Sequence, residues 1–283
     1  MVKISGKLEG LISDASQKLH RIKPGDKIKL GKLDPDDISI AGVDKKLEKD
    51  MGIDLQDQLV ALQDLLYAEH KHKVLVILQA MDTAGKDGII KHVFKGVNPQ
   101  GVRVAAFKAP TPIELSHDYL WRIHQQTPAR GEMVIFNRSH YEDVLVTRVH
   151  GMIDEKTCHR RYQHINNFEQ MLADEGVTIL KFFLHIDADE QKSRLQSRID
   201  DPDKNWKFSS ADIEERKLWP RYMEAYENAI AHTSTAYAPW YVIPSNRKWY
   251  RNLTVSLILV DQLKRLGMAY PKPVEKLDSA MIL

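Results

Sequence analysis

The sequence is poor in the features that would mark a specialised class. One cysteine in 283 residues, Cys158, excludes an internal disulfide framework and suits a reducing, cytoplasmic setting. Cys158 falls in a helical stretch without an obvious base beside it, which reads as a packing residue. Charges of the two signs nearly cancel, 41 Lys+Arg against 39 Asp+Glu, so the balance calls for neither nucleic acid nor a membrane surface as partner. No apolar run approaches the roughly 18 to 20 residues needed to cross a bilayer. The opening MVKISGKLEGLISDASQKLH lacks the apolar block of a signal peptide. The 12 histidines show no metal-ligand spacing, so no zinc site is expected. What remains is an ordinary globular composition, 43% hydrophobic, in a chain long enough for a sizeable core.

Residues 1 to 50 carry scattered charges and turn signals such as KPGDK and LDPDD, and are expected to form an N-terminal arm packed on the body or on a neighbouring subunit. Beyond them, Leu55, Leu59, Leu62, Leu65 and Leu66 recur at helical spacing. Apolar runs rich in β-branched and aromatic residues follow at 73–79, 101–108, 131–136, 177–186 and 239–244. Such runs are typical of strands buried on both faces of a parallel sheet. Helical stretches lie between them, at 86–96, 112–126, 139–149, 155–175, 187–200, 210–232 and 248–266. The alternation predicts a doubly wound α/β body with five parallel strands over residues 51–270. The polar segment 198–216, interrupted by Pro202, resembles a lid, and 271–283 a peripheral tail.

Ligands in such sheets bind beyond the carboxyl ends of the strands. The first run leads straight into QAMDTAGKDG, which resembles a phosphate loop with two defining residues replaced. The usual pattern is G-x-x-x-x-G-K-[ST]; here Ala80 stands for the first glycine and Asp87 for the Ser/Thr. An ordinary strand-to-helix turn with a surface lysine is the plain alternative. Favouring the phosphate loop, Gly85 and Lys86 close the loop and open a helix, where backbone N–H groups and the helix dipole attract anions. Ala84, Gly85, Asp87 and Gly88 are the candidate cradle, and Lys86 would place its ammonium on the phosphates. Asp87 removes the hydroxyl that normally helps hold Mg²⁺. Asp82, inside the loop, offers a carboxylate in its stead, which beside polyanionic phosphate requires a metal or a proton between them. The loop reads as rebuilt for a different phosphate substrate.

The third run opens onto FNRSHYEDVLVTRVH. Either acid alone, Glu142 or Asp143, suits a solvated helix start. Asn137 and Arg138 at the mouth of a buried sheet are less easily explained, and the guanidinium fork of Arg138 suits phosphate oxygens. One of the two acids could hold Mg²⁺ or orient an attacking phosphate oxygen.

Together, QAMDTAGKDG, FNRSHYEDVLVTRVH, DPDKNWKFS and ERKLWPRYMEAYE strongly resemble the family 2 polyphosphate kinases. The likeness runs from about residue 20 to 270 and includes FKAPTPIELSHDYLWRIH and PWYVIPSNRKW. It implies a three-layer P-loop kinase fold of the thymidylate-kinase kind, with a five-stranded parallel sheet and a helical lid. It also implies phosphoryl transfer between inorganic polyphosphate and adenine (alternatively guanine) nucleotides, with Mg²⁺ (alternatively Mn²⁺) as cofactor, in a homodimer or homotetramer. The Glu-Asp pair after Tyr141 and the NWKFS lid are similar to the class III group, which is thought to phosphorylate both AMP and ADP.

Polyphosphate needs a basic lane. Lys108, Arg122, Arg194, Arg198, Lys204 and Lys207 are candidates; any one alone is more often a solvated surface cation, and the set gains weight from its place around one end of one sheet. Resemblance to the family's lid singles out Arg198, Lys204 and Lys207. Trp206 between the two lysines is expected to pack when the lid closes, with stacking on a base as the alternative. In the expected mechanism the Gly85-Lys86 loop holds the phosphates flanking the transferred group, and Asp82 and Asp143, with Glu142 nearby, hold Mg²⁺ and the acceptor. Arg138 and Arg198 neutralise the developing charge. Two alternatives stay open, an ATP-dependent nucleotide kinase on the same fold and a non-catalytic polyanion-binding protein. Asp82→Asn is expected to leave the fold intact and nearly abolish transfer; activity within tenfold of wild type would refute its role.

Overall fold

A computed structural model describes residues 2–40, 43 and 45–273. The tail expected from 271 lies largely outside the described residues. Five parallel strands form the body: β2 (Lys73–Ala80), β3 (Val102–Ala106), β4 (Met133–Asn137), β5 (Val177–His185) and β6 (Trp240–Pro244). A sixth strand corrects the expected count. The two-residue β1 (Arg21–Ile22) pairs antiparallel with β6, giving the order β1-β6-β5-β2-β4-β3. It was illegible because two residues carry no periodicity, and its pairing depends on Tyr241 and Trp240 being in place.

Alternation along β2 divides the core. Val74, Val76 and Leu78 face one layer with α1 (Val2–Ile12), α2 (Lys45–Glu69), α3 (Lys86–Val93) and α8 (Lys248–Arg265). Leu75 and Ile77 face the other, with α4 (Glu155–Asp174) and α7 (Trp219–Thr233). Helices α5 (Ala188–Asp200) and α6 (Ser210–Lys217) stand at the carboxyl edge. Residue 50 falls inside α2, and the segment before it is bound to the body. The Ser16 backbone N–H and hydroxyl donate to Asp261 at 2.8 and 2.6 Å, and Tyr241 donates to the Ser16 carbonyl at 2.7 Å. Among the described residues no helix is long and apolar enough to cross a membrane.

Three expected helices are broken, each for a local reason. The 210–232 stretch divides at Leu218, because Pro220 has no N–H to donate and suits only a helix's first turn. In 112–126, Asp118 accepts from the Leu120 N–H and separates two four-residue turns. In 139–149, the Ser139 hydroxyl caps a tight 3₁₀ turn, His140–Asp143, ahead of the short helix Val146–Val149.

That tight turn rests on a buried polar cluster. Lys181, fully buried in mid-β5, donates to Glu169 (2.5 Å), Tyr141 (2.9 Å) and the Thr233 carbonyl (2.7 Å), which satisfies all three ammonium donors. Tyr141 donates to the other Glu169 oxygen at 2.8 Å, and His140 lies 3.2 Å from it. Burial pushes the Glu169 carboxyl up, but Lys181 and His140 together outweigh it and hold the group below its ordinary value. Lys181→Met alone strands a buried carboxylate and is expected to cost about 3–5 kcal/mol in urea denaturation, whereas Lys181→Met/Glu169→Leu recovers most of the loss. A single-variant cost below about 1 kcal/mol would show the pair to be idle.

Candidate phosphoryl-transfer site

The five parallel strands end together. Leu78 pairs with Asn137, Ala106 with Asn137, and Ala80 with Leu184. The chain leaves β2 for β3 and β4 on one side and later adds β5 and β6 on the other, so the switch point lies at the end of β2. There a cavity of about 840 Å³ opens, lined by the phosphate-loop segment, the carboxyl ends of β3 and β4, α5 and the start of α8.

The loop 81–85 turns sharply. Thr83 and Gly85 take left-handed backbones, at φ 68° and 112°. Only the second is free of a side-chain penalty. Lys86 opens α3, and its ammonium donates to the Ala80 carbonyl at 3.1 Å. Burial draws that ammonium below the usual lysine value, with Asp82 opposing. Arg138, itself left-handed at φ 63°, donates to Asp82 at 3.0 Å, so the second cluster is tied to the loop. Such backbones in non-glycine residues cost roughly 1–2 kcal/mol and concentrate at working sites.

Of the expected residues, Asp82, Gly85, Lys86, Asp87, Gly88, Lys108, Asn137, Arg138, Arg198, Lys204 and Lys207 line this one cavity. Asp87, in the usual Ser/Thr position, accepts from the Asn137 amide at 3.0 Å and lies 4.0 Å from the Lys207 ammonium, which links the loop to the lid segment. The lid cations are paired with acids: Arg198 with Asp212 at 3.2 Å, and Lys204 with Asp201. Five residues have other settings: Glu142 and Asp143 are not among those lining the cavity. Ala84 is buried behind the loop. Arg194 also borders the cavity, but all its donors are engaged: it bonds Glu190 and the carbonyls of Thr83, Ala84, Ser245 and Asn246, which braces the loop from behind. Arg122 is buried, donating to the Lys108 carbonyl at 2.9 Å. Trp206, expected to pack or stack only on lid closure, stands outside the body here. It is 77% exposed, because the tight turn Asn205–Lys207 carries it away from the body, and Lys207 sits over its ring.

The two neighbouring acids face different charges. Burial pushes the Glu142 carboxyl up, against the pull of Arg138 and Lys86, and Asp82 lies close enough to add repulsion. Asp143 is pushed up to about 6 by burial, against Arg161 and Arg122. Among the described residues no group of three or more His, Cys, Asp and Glu could hold a metal unaided. Mg²⁺ is commonly bound by one or two carboxylates plus substrate phosphates and waters. Asp82 suits that mode, with Oδ1 on Arg138 and no hydrogen bond to Oδ2 from the described residues. Glu142 shares its electrostatic surroundings, while the expected partner Asp143 faces Arg161 at 3.8 Å.

Sequence reasoning missed Lys248, Trp249, Arg251 and Asn252 at the start of α8, all on the cavity wall. They follow the fifth parallel strand, so the rule of inspecting what succeeds each strand reaches them too.

A family model described as polyphosphate kinase 2 matches residues 42–270. The chain belongs to the polyphosphate kinase 2 family. It is 59% identical over 256 residues, 90% of this chain and 96% of the other, to an AMP/ADP-polyphosphate phosphotransferase of Meiothermus ruber. It is 44% identical over 267 residues to an ADP-polyphosphate phosphotransferase of Rhodopseudomonas palustris, covering 90% of this chain and 92% of that one. A crystal structure of polyphosphate kinase 2 from Arthrobacter aurescens superposes with TM-score 0.90 at 44% identity, covering 94% of this chain and 95% of that one.

Within this family site, Asp143 generates a stability prediction. Its folded pKa of about 6 lies above the ordinary 3.8, so its contribution favours folding below about 4 and is lost as pH rises through 6. Asp143→Asn should therefore stabilise the fold by about 1–3 kcal/mol at pH 7.5 while lowering activity. The gain should vanish near pH 4, and an equal gain at both pH values in urea melts would refute the assignment.

Proposed function

We propose that the protein catalyses reversible phosphoryl transfer between inorganic polyphosphate and nucleoside mono- and diphosphates, AMP to ADP and ADP to ATP. The observation that carries this reading is the meeting of two separate segments, Asp82 and Lys86 from one and Asn137 and Arg138 from the other, over one cavity edged by the paired lid cations. The relatives' names supply the substrate classes.

The chemistry needs no covalent nucleophile. Phosphoryl transfer passes through a loose transition state, so catalysis consists of positioning and charge neutralisation. The loop N–H groups and Lys86 hold the phosphates that flank the transferred group. Arg138, anchored on Asp82, supports the equatorial oxygens. Arg198 leaves Asp212 for the phosphates when the lid segment closes, an arginine role worth about 10³–10⁵ in rate. Lys204 and Lys207 exchange Asp201 and Asp87 for the polyanion in the same way, and closure excludes water. Asp82, with Glu142 or Asp143, would hold Mg²⁺, which when bound neutralises phosphate charge. We read the enzyme as a cytoplasmic homo-oligomer, dimer or tetramer, from the family resemblance and the single cysteine.

An ATP-dependent nucleotide kinase on the same fold differs in its donor. Purified protein with polyphosphate and Mg²⁺ should convert AMP to ADP and then ATP, read by nucleotide chromatography. Product from ADP alone corrects the acceptor, and transfer only from ATP sinks the proposal.

A further inference from the structure

Arg251 is an unusual buried cation. It is 2% exposed, yet among the described residues it has no carboxylate partner. Its Nε and Nη2 both reach Asn252 Oδ1, at 3.1 and 2.8 Å, and Nη1 donates to the Ala84 carbonyl at 3.0 Å. The same carbonyl accepts from Arg194 at 2.9 Å, so two guanidinium groups from different helices converge on one peptide oxygen of the loop. Arg194 is neutralised by Glu190, whereas Arg251 is not. A buried, uncompensated charge is costly unless an anion serves it.

The loop is also shaped to admit this side chain. A methyl group on Gly85 would overlap Arg251, and one on Gly88 would lie 2.9 Å from its Nη2. Gly85 is needed for its left-handed backbone in any case. Gly88 has no such backbone requirement. It lies within α3, where glycine costs about 1 kcal/mol relative to alanine, and the nearest thing a side chain there would meet is Arg251.

We propose that Arg251 is a positioning residue of the phosphate loop, and that Gly88 is small to admit it. Lying behind the cradle, it fixes the Ala84 peptide so that the following N–H groups point at the phosphates, and its charge finds its counterion in the bound phosphate chain. This rests on the proposed function for the identity of the anion.

A double-mutant cycle tests the pair: Gly88→Ala, Arg251→Ala and the two combined, with Arg251→Lys as the conservative variant. Tripolyphosphate binding is read by calorimetry, polyphosphate-dependent kcat/KM in parallel, and both well below each variant's melting temperature. Arg251→Ala should weaken tripolyphosphate binding and lower kcat/KM by at least tenfold, and Arg251→Lys should restore part of both. Gly88→Ala should cost tenfold in the wild-type background and less than twofold beside Arg251→Ala. Equal costs of Gly88→Ala in the two backgrounds, or Arg251→Ala within twofold of wild type, would overturn the proposal. A wild-type protein that binds tripolyphosphate but transfers nothing from polyphosphate sinks the functional reading alone, and the binding cycle still decides the role of Arg251.

Discussion

The site depends on one pairing, Leu78 of β2 beside Asn137 of β4. Parallel neighbours in register end at the same height, so whatever follows β2 meets whatever follows β4. The Arg138 N–H donates to the Leu78 carbonyl at 3.1 Å, extending the pairing one step beyond the strand. From that step follow the bonds of Arg138 to Asp82 and of Asn137 to Asp87. A slip of one residue would turn Asn137 into the core and Phe136 into the cavity. The apolar filling on both faces, Val134 and Phe136 toward one layer and Met133 and Ile135 toward the other, forbids that slip. The polar chemistry is thereby held in place by hydrophobic burial several residues away.

With the register fixed, electrostatics explains why acids sit in a site for polyanions. Asp82, Asp87, Asp201 and Asp212 each hold a cation: Arg138, Lys207, Lys204 and Arg198. Left unpaired and close together, those cations would repel one another and favour an open, disordered edge. The pairs are at least partly solvent-exposed and so worth little individually. Weak pairing suits exchange, because a phosphate chain with about one charge per unit can replace several acids at once. The buried pair Lys181–Glu169 belongs to the opposite regime. Its donors are satisfied within the protein, and it fixes the turn bearing Glu142 rather than exchanging with anything.

The sequence is legible where a signal is local. The five long strands announced themselves through continuous apolar runs, and the loop through a glycine-lysine pair between a strand and a helix. The resemblance added the lid and the substrate classes. What stayed hidden was relational. Two residues of β1 form a strand only because β6 offers an edge. Arg194 looks like any cation on a helix until its donors are traced to carbonyls from two separate loops. Lys181 sits in a strand run that reads as hydrophobic, and its partner Glu169 lies on the preceding helix α4. Arg251 carries no local signal, since its meaning comes from the space beside two glycines more than 160 residues earlier.

The replacement at position 87 follows from the same geometry. A hydroxyl there helps hold Mg²⁺ in the standard loop. A carboxylate, 71% exposed, reaches Asn137 on one side and Lys207 of the lid segment on the other. Its longer reach connects the loop, the end of β4 and the segment 198–216. Asp82 meanwhile places a carboxylate inside the loop, in a position fixed by Arg138. Two aspartates thus hold the loop to its neighbours, Asp82 to Arg138 and Asp87 to Asn137 and Lys207, and the second of these is the replacement at the Ser/Thr position.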